Sequence, residues 1–285
     1  MQTQIQHYLT IWELQVIAPE WTQVTHSSTL LKVLDTEHKT CVLKCLNKVG
    51  QHDEADGARL LEWYSGSGAV RALRWDPQAH LLEYAGEQQL KDLLLQDSSK
   101  DSIVTDSFLE VIHKLHTQRA EPPPTFIGLR RRFRELFRKA ETENSDSIFG
   151  YAAQLTETLL QSTQESDVVA LHGDLHHENI LYSKRGWLAI DPKGLTGDRH
   201  YDVANLFCNP DDQESLVLNP ERIKMLTNKV VSQLSMERTR VLQFALAHAV
   251  LSATWSLLED RHSNATLRLR VAELLHQELQ HHPTK

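Results

Sequence analysis

Residues 168–191 constrain this chain more than any other stretch. They run Val168-Val169-Ala170-Leu171, then His172-Gly173-Asp174-Leu175-His176-His177-Glu178-Asn179, then Ile180-Leu181-Tyr182. After a short interval comes Gly186-Trp187-Leu188-Ala189-Ile190-Asp191. Apolar runs of strand length alternate with polar loops, so the segment reads as strand, loop, short strand, turn, strand, loop. The loops carry Asp174, Asn179 and Asp191. Any one of these alone reads as an ordinary turn residue. Together they have a chemical meaning. The Asp-x-x-x-x-Asn spacing lets one loop present a carboxylate and a carboxamide oxygen to the same space. The carboxylate can orient a hydroxyl and accept its proton. The amide oxygen and the second carboxylate form a hard-oxygen donor set that suits Mg²⁺. This is the pattern of kinase-type phosphoryl transfer.

Lys44 fits the same chemistry. It lies in an apolar strand pattern, after Val42 and Leu43, where a lysine needs a partner. Phosphate oxygens and a glutamate from the following helix are the expected ones. Glu54 is the first candidate by sequence order, and Glu62 is its rival. The chain holds no Gly-x-x-x-x-Gly-Lys-Ser/Thr, which excludes a P-loop. No Gly-x-Gly-x-x-Gly separates the first two strands either. His26 is followed there by Ser27, Ser28 and Thr29, whose N–H groups and hydroxyls are candidates to cap phosphates. An Ala-Pro-Glu signature is also missing, which disfavours a protein substrate.

Around this segment the chain changes character once. Residues 22–25, 30–34 and 40–46 read as three antiparallel strands, 53–64 as a helix, and 70–75 and 80–84 as two more strands. Helical periodicity follows at 88–95, 103–116, 129–140, 151–160, 226–234, 240–258 and 266–279. Pro122-Pro123-Pro124 breaks the series. The helix at 129–140 is basic, with Phe133, Leu136 and Phe137 as its buried side. Its arginines, Arg130 to Arg132, Arg134 and Arg138, are expected to be solvated. The expected organisation is α+β. A small antiparallel β-sheet N-lobe with one helix takes residues 1–85, and a larger, mainly helical C-lobe takes 86–285.

Composition narrows the function classes. Of 285 residues, 40% are hydrophobic and 24% charged, which excludes a disordered chain, a collagen and a disulfide scaffold. Thirty Lys and Arg against 38 Asp and Glu leave a formal charge of −8. That argues against a general nucleic-acid binder and suits a cationic small molecule. The three cysteines form no C-x-x-C pair, so free, buried thiols and a reducing cytoplasm are expected. Residues 1–12 lack Lys, Arg and a long apolar run, unlike a signal peptide. The apolar stretch 244–258 is shorter than the ~20 residues of a membrane span and reads as a buried helix. His172, His176 and His177 lack the partners of a zinc site. His172 is expected to hold the loop backbone. Lys193 stands open between a phosphate contact and a solvated side chain. His281 and His282 are expected at the surface. No nucleic acid, membrane or obligate protein partner is expected.

Several ordered motifs share one resemblance. They are the 172–181 loop, the 186–194 stretch, and Gly197-Asp198-Arg199-His200-Tyr201-Asp202 with its continuation to Pro210. Residues 54–63 and 68–71 add to them. From about residue 21 to 210 the chain closely resembles the aminoglycoside 6-phosphotransferases, the streptomycin kinases grouped with hydroxyurea phosphotransferases. The resemblance implies a bilobal protein-kinase-like fold that transfers the γ-phosphoryl group of ATP to a small-molecule hydroxyl. It makes Asp174 the catalytic base, and Asn179 and Asp191 the Mg²⁺ ligands. Lys44 would lie over the α- and β-phosphates with Glu54 as its helix partner. Glu83 and Ala85 would meet the adenine through their backbone. Asp202 would brace the catalytic loop, and an N-cap for the residues after it is a second reading. Candidate contacts to a cationic acceptor are Asp202, Asp211, Trp255, Glu259 and Asp260. The alternatives are a kinase of another metabolite or a hydroxyurea-like compound, and a catalytically silent binding module.

Overall fold

The computed structural model describes residues 1–120 and 123–281; Pro122 of the expected proline break and His282 lie outside them. The chain opens with α1 (Gln2–Ile11), β1 (Gln15–Val16), β2 (Gln23–Val24), β3 (Ser28–Leu34) and β4 (Thr40–Leu46). Then come α2 (Lys48–Asp53), α3 (Ala55–Tyr64), β5 (Ala72–Asp76) and β6 (Ala79–Glu83). These strands form one antiparallel sheet in the order β1-β3-β4-β6-β5, with β2 also paired to β3. Side chains alternate between its faces. Leu31, Val33, Cys41, Leu43, Cys45 and Leu81 face one way and are covered by Tyr8 and Leu14. Cys41 and Cys45, four residues apart, share this face, and both thiols are buried and unpaired. The opposite face presents Leu30, Val42 and Leu82 to a cleft, in register with Lys44. The sequence reading assigned no helix to residues 2–11. That helix gains its place through Tyr8, whose hydroxyl donates to the Asp76 carboxylate at 2.7 Å.

The helix expected over 53–64 is α3, Ala55–Tyr64, with a separate helix, α2, running up to Asp53 before it. The Asn47 side chain accepts from the Val49 and Gly50 N–H groups and starts α2 early. The backbone then breaks at Glu54, with φ −129° and ψ −2°, before α3 begins. This kink puts Glu54 at a helix junction that faces the cleft. Below it, α3 lies directly on the segment after Asp191. A Cβ on Gly57 would stand 2.3 Å from the Pro192 carbonyl oxygen.

The rest is mainly helical. In chain order it holds α4 (Leu90–Gln96), α5 (Asp101–Leu115), β7 (Ile127–Gly128), α6 (Leu129–Arg132), α7 (Arg134–Glu141) and α8 (Ile148–Gln161). Next are β8 (Val168–Leu171), β9 (Ile180–Ser183), β10 (Gly186–Ala189) and β11 (Leu195–Asp198). The last helices are α9 (Glu214–Val217), α10 (Pro220–Leu234), α11 (Arg238–Leu258) and α12 (His262–His281). β9 and β10 form a hairpin, and β7, β11 and β8 form a small sheet. The loop 172–179 is therefore slung between two short sheets. α11 runs through the core against α8 and α12. It is long and apolar enough to cross a membrane by length and composition, but 72% of its apolar window is buried inside the protein. Phe244 and Leu246 on it are fully buried. The basic helix expected over 129–140 is split at Phe133, which is buried together with Leu136. Arg130, Arg131, Arg134 and Arg138 are exposed as expected, whereas Arg132 is turned inward.

Gly57→Ala tests how closely α3 sits on the Pro192 segment. In an unobstructed helix this change stabilises by about 0.4–1 kcal/mol. Here the backbone contact reverses the sign, and urea unfolding is expected to show a loss of about 1–3 kcal/mol.

Candidate active site

The sheet, α3 and the loop 172–194 meet in a row of alternating charges. Lys44, 3% exposed, places Nζ 2.8 Å from Glu54 Oε2 and 2.9 Å from Asp191 Oδ1. Glu62, the rival partner, points to solvent. The other Glu54 oxygen accepts from Lys193 Nζ at 2.8 Å. Lys193 in turn lies 3.8 Å from Asp174 Oδ2, and Arg132 Nη2 lies 3.7 Å from Asp174 Oδ1. Lys193 is therefore an ion-paired member of the site and not a solvated side chain.

The titration behaviour follows from this row. Burial pushes the Glu54 carboxyl up, but Lys44 and Lys193 outweigh it and hold it at about 2. Burial opposes the charge on Lys44, and Asp191 and Glu54 more than restore it. Burial also pushes Asp174 up, while Lys193 and Arg132 hold it below the usual carboxylate range. Glu54, Lys44 and Asp174 stay charged near neutrality. His80, beside Lys44 on the sheet, is held at about 4 by burial and the Lys44 charge, and so stays neutral.

A second set of bonds fixes the loop that carries Asp174. The Asp202 carboxylate is 2% exposed and accepts from the His172 N–H at 2.9 Å and the Gly173 N–H at 2.8 Å. His116 Nε2 stands 2.9 Å from the same carboxylate. His172 is buried, which keeps its imidazole neutral. Its Nε2–H donates to the Ile190 carbonyl at 2.8 Å, and its Nδ1 accepts from the Asp174 N–H at 3.3 Å. The Asn179 amide donates to the Asp174 carbonyl at 2.9 Å, and the Asn179 carbonyl accepts from the Ile190 N–H at 2.9 Å. Asn179 is thus held beside Asp191. Asp191 itself adopts φ +57°, a left-handed backbone uncommon for a residue with a side chain.

A hydrogen-bonded ring closes from Arg132 round to Asp174. Arg132 Nε donates to the Tyr201 hydroxyl at 3.3 Å, and that hydroxyl lies 3.3 Å from His248 Nδ1. His248 Nε2 lies 3.0 Å from Asn205 Oδ1, and the Asn205 amide nitrogen reaches Asp174 Oδ1 at 3.5 Å. Burial and the Arg132 charge hold His248 at about 3, so it bonds as a neutral imidazole. The sequence reading missed this ring. Two signals for it existed. Arg132 falls on the buried helix face, three residues after Leu129 and four before Leu136. His248 interrupts an apolar core helix, where a buried imidazole needs partners.

Three cavities surround the row. One, of about 360 Å³, is lined by Leu30, Val42, Leu82, Ala85, Leu181 and Ile190, and reaches Asp191. Glu83 and Ala85 both line it, but the Glu83 carboxylate is turned to Arg185, at 2.6 Å, and the Arg71 N–H. A second, of about 510 Å³, holds Ser27, Glu54, Lys193, Arg132, Trp255 and Glu259. The third, about 170 Å³, is lined by Asp174, Glu178, Asn205, Asp211, Ser252 and Trp255. A wider hollow of about 680 Å³ over α6 and α7 carries none of the expected site residues.

Four expectations need correction. Ser28 and Thr29 are buried in β3, Ser28 against Thr25, so of the three only Ser27 reaches a cavity. Asp202 is not a substrate contact, because its carboxylate is enclosed and committed to the loop. Its carboxylate also leaves the N-cap role unfilled. Asp260 sits at the exposed end of α11, on none of these cavities. Trp255 separates the second and third cavities and stacks on Arg132, whose guanidinium lies 4.3 Å from its ring. Among the described residues no group of three or more His, Cys, Asp or Glu could hold a metal.

The depressed Glu54 pKa has a stability consequence. Its ion pairs are fully present above its ordinary value of 4.5 and are lost as pH falls towards about 2. Glu54→Gln, which leaves two lysines without their shared anion, is expected to cost about 3–5 kcal/mol at neutral pH. In urea unfolding at a series of pH values, the gap between the two proteins should close between pH 4.5 and 2. A gap independent of pH would contradict the pairing.

Residues 14–260 match the family described as aminoglycoside/hydroxyurea antibiotic resistance kinase. The chain is 37% identical over 237 residues to a streptomycin 3''-kinase of Klebsiella pneumoniae, covering 81% of this chain and 85% of that one. It is 28% identical over 138 residues to a streptomycin 6-kinase of Streptomyces griseus, covering 48% and 44%. The fold is shared with an amicoumacin kinase solved in complex with AMP-PNP, Ca²⁺ and Ami. That match has TM-score 0.65 and 13% identity over 97% of this chain and 96% of that one. It is also shared with aminoglycoside phosphotransferase APH(4)-Ia, solved with AMP-PNP and hygromycin B, at TM-score 0.64 and 14% identity over 98% and 99%. The architecture is thus the bilobal, kinase-like one expected. The chain belongs to the aminoglycoside/hydroxyurea antibiotic resistance kinases.

Proposed function

We propose that this protein transfers the γ-phosphoryl group of ATP to a hydroxyl of an aminoglycoside of the streptomycin class, in a cleft between lobes that divide at about residue 85. The observation that carries this reading is the unbroken row Asp191, Lys44, Glu54, Lys193, Asp174. It joins a sheet lysine suited to phosphates to a carboxylate suited to a hydroxyl. The apolar cavity at Ala85 fits the adenine. The Ala85 N–H and C=O make no backbone hydrogen bond among the described residues, which leaves them to the base.

The chemistry is mostly positioning and charge. Asp174 stays ionised and accepts a hydrogen bond from the acceptor hydroxyl, aligning its oxygen for in-line attack. A loose transition state needs no strong base, which is compatible with the low Asp174 pKa. Lys44 offsets phosphate charge, and Glu54 keeps it aimed. Asn179 and Asp191 fit Mg²⁺. The Asn179 amide nitrogen is used by the Asp174 carbonyl, which turns the carboxamide oxygen outward, next to a carboxylate that is about one-third exposed. When bound, Mg²⁺ would neutralise phosphate charge. A cationic acceptor suits the third cavity, where Asp174, Glu178 and Asp211 supply carboxylates beside Trp255. Of the two hydroxyls named by the streptomycin kinases, the 3'' position has the stronger support, from the more identical and more fully covered relative.

The test is Mg²⁺- and acceptor-dependent ADP release, across streptomycin, other aminoglycosides, hydroxyurea and simple sugars. Streptomycin is expected to stimulate turnover, with the phosphate located on the 3''-oxygen by NMR. Asp174→Asn should lower kcat about 10²–10⁴-fold and leave ATP affinity nearly unchanged. Stimulation by hydroxyurea or a sugar alone would assign a different acceptor. Turnover by Asp174→Asn near that of the wild type would remove Asp174 from the mechanism.

A further inference from the structure

Arg132 is a cation for which the reaction above has no use. It ends α6 on the buried face, and its side chain is 18% exposed. Among the described residues the one carboxylate within 4.0 Å of it is Asp174, at 3.7 Å, too far for a hydrogen bond, and Asp53 is a more distant negative charge. Lys44, Lys193 and Arg268, by contrast, each have a carboxylate oxygen within 3.1 Å. Arg132 is held instead by uncharged groups, the Tyr201 hydroxyl at 3.3 Å and the Trp255 ring at 4.3 Å. The ring through His248 and Asn205 ties this arrangement to Asp174. A largely desolvated guanidinium with so loose a counter-charge is costly. Such a guanidinium is suited to receive an anion. A guanidinium presents planar, paired donors that match phosphoryl oxygens. Its location specifies which anion. Arg132 and Lys193 flank Asp174 at similar distances, so both face the space where the acceptor oxygen must meet the γ-phosphorus.

We propose that Arg132 is a further catalytic residue, donating to an oxygen of the phosphoryl group in transfer. The bond between the acceptor oxygen and the γ-phosphorus forms as the bond from that phosphorus to the β–γ bridging oxygen breaks. The electron pair of the broken bond leaves with ADP, and the hydroxyl proton passes to Asp174. Negative charge on the equatorial oxygens then lies between Lys193 and Arg132. Trp255 and Tyr201 act as positioning residues for Arg132, which gives Trp255 a task apart from acceptor contact. The inference rests on the phosphotransferase reading of this cleft.

The test compares wild type with Arg132→Ala and Arg132→Lys, with thermal unfolding followed for each. Arg132→Ala is expected to lower kcat about 10²–10³-fold, with the acceptor KM changed less than about threefold. Calorimetric titration should show AMP-PNP weakened and ADP unchanged, because only the former carries a γ-phosphoryl group. Arg132→Lys should restore part of kcat, since it returns the charge without the fork. A kcat within about threefold of wild type, equal weakening of ADP and AMP-PNP, or a rise confined to the acceptor KM would each overturn the proposal. If the alanine variant does not fold, the lysine variant decides by the same readouts, with changes in the same sense. If the wild type turns over no acceptor, the function proposed above fails on its own. The ADP and AMP-PNP comparison then still tests Arg132.

Discussion

Glu54 grips two lysines at once, and the geometry of the cleft depends on that grip. Its two oxygens hold Lys44 from the sheet and Lys193 from the segment after Asp191, each at 2.8 Å. A buried carboxylate with one cation would balance one charge. With two, it fastens three elements to each other: β4, the α2–α3 junction and the loop 191–194. The kink between α2 and α3 makes this possible, because it turns the glutamate inward where a continuous helix would spread residues 53–64 around one axis. The close seat of Gly57 on Pro192 serves the same end, since any side chain there would push α3 off the segment that carries Lys193.

The opposite wall depends on a different device. Asp202 binds two consecutive backbone N–H groups and the histidine that caps the C-terminal end of α5, and so converts a loop into a rigid shelf. His172 then links that shelf to the strand before Asp191, as a neutral ring bonded at both nitrogens. These protein bonds hold Asp174, Asn179 and Asp191 in their relative places. Preorganised polar groups of this kind cost no reorganisation when charge develops. The core helix α11 contributes indirectly. It is buried among its neighbours, and from inside the core it sends His248 and Trp255 to the ring around Asp174.

Much of this was legible in the residues. Alternation in 28–46 marked the strands, and the same alternation set Lys44 on the face opposite Cys41 and Cys45. The loop spacing marked Asp174, Asn179 and Asp191 as companions. Sequence order favoured Glu54 over Glu62. Other features were not legible, for identifiable reasons. The α1 helix has little apolar patterning of its own and is held by the exposed sheet face it covers. Ser28 and Thr29 look like phosphate caps by composition, but the strand begins at Ser28, two residues before the expected start, and takes both in. Arg132 sits in a run of basic residues, and charge runs usually face water, but its spacing from Leu129 and Leu136 sets it on the buried face.

Local patterning, then, determined the elements, the order of the motifs and the identity of the charged groups, because period and spacing are properties of adjacent residues. Only the tertiary structure decided which charges pair and how closely. Asp191 lies 147 residues from Lys44, and Lys193 lies 139 from Glu54, so no local rule connects them. Asp202, Asp211 and Asp260 are chemically the same side chain. One is sealed under a loop, one is tied to Arg268 at a cavity wall, and one stands at an exposed helix end. Burial and distance separate these fates, and both come into being only when the chain packs.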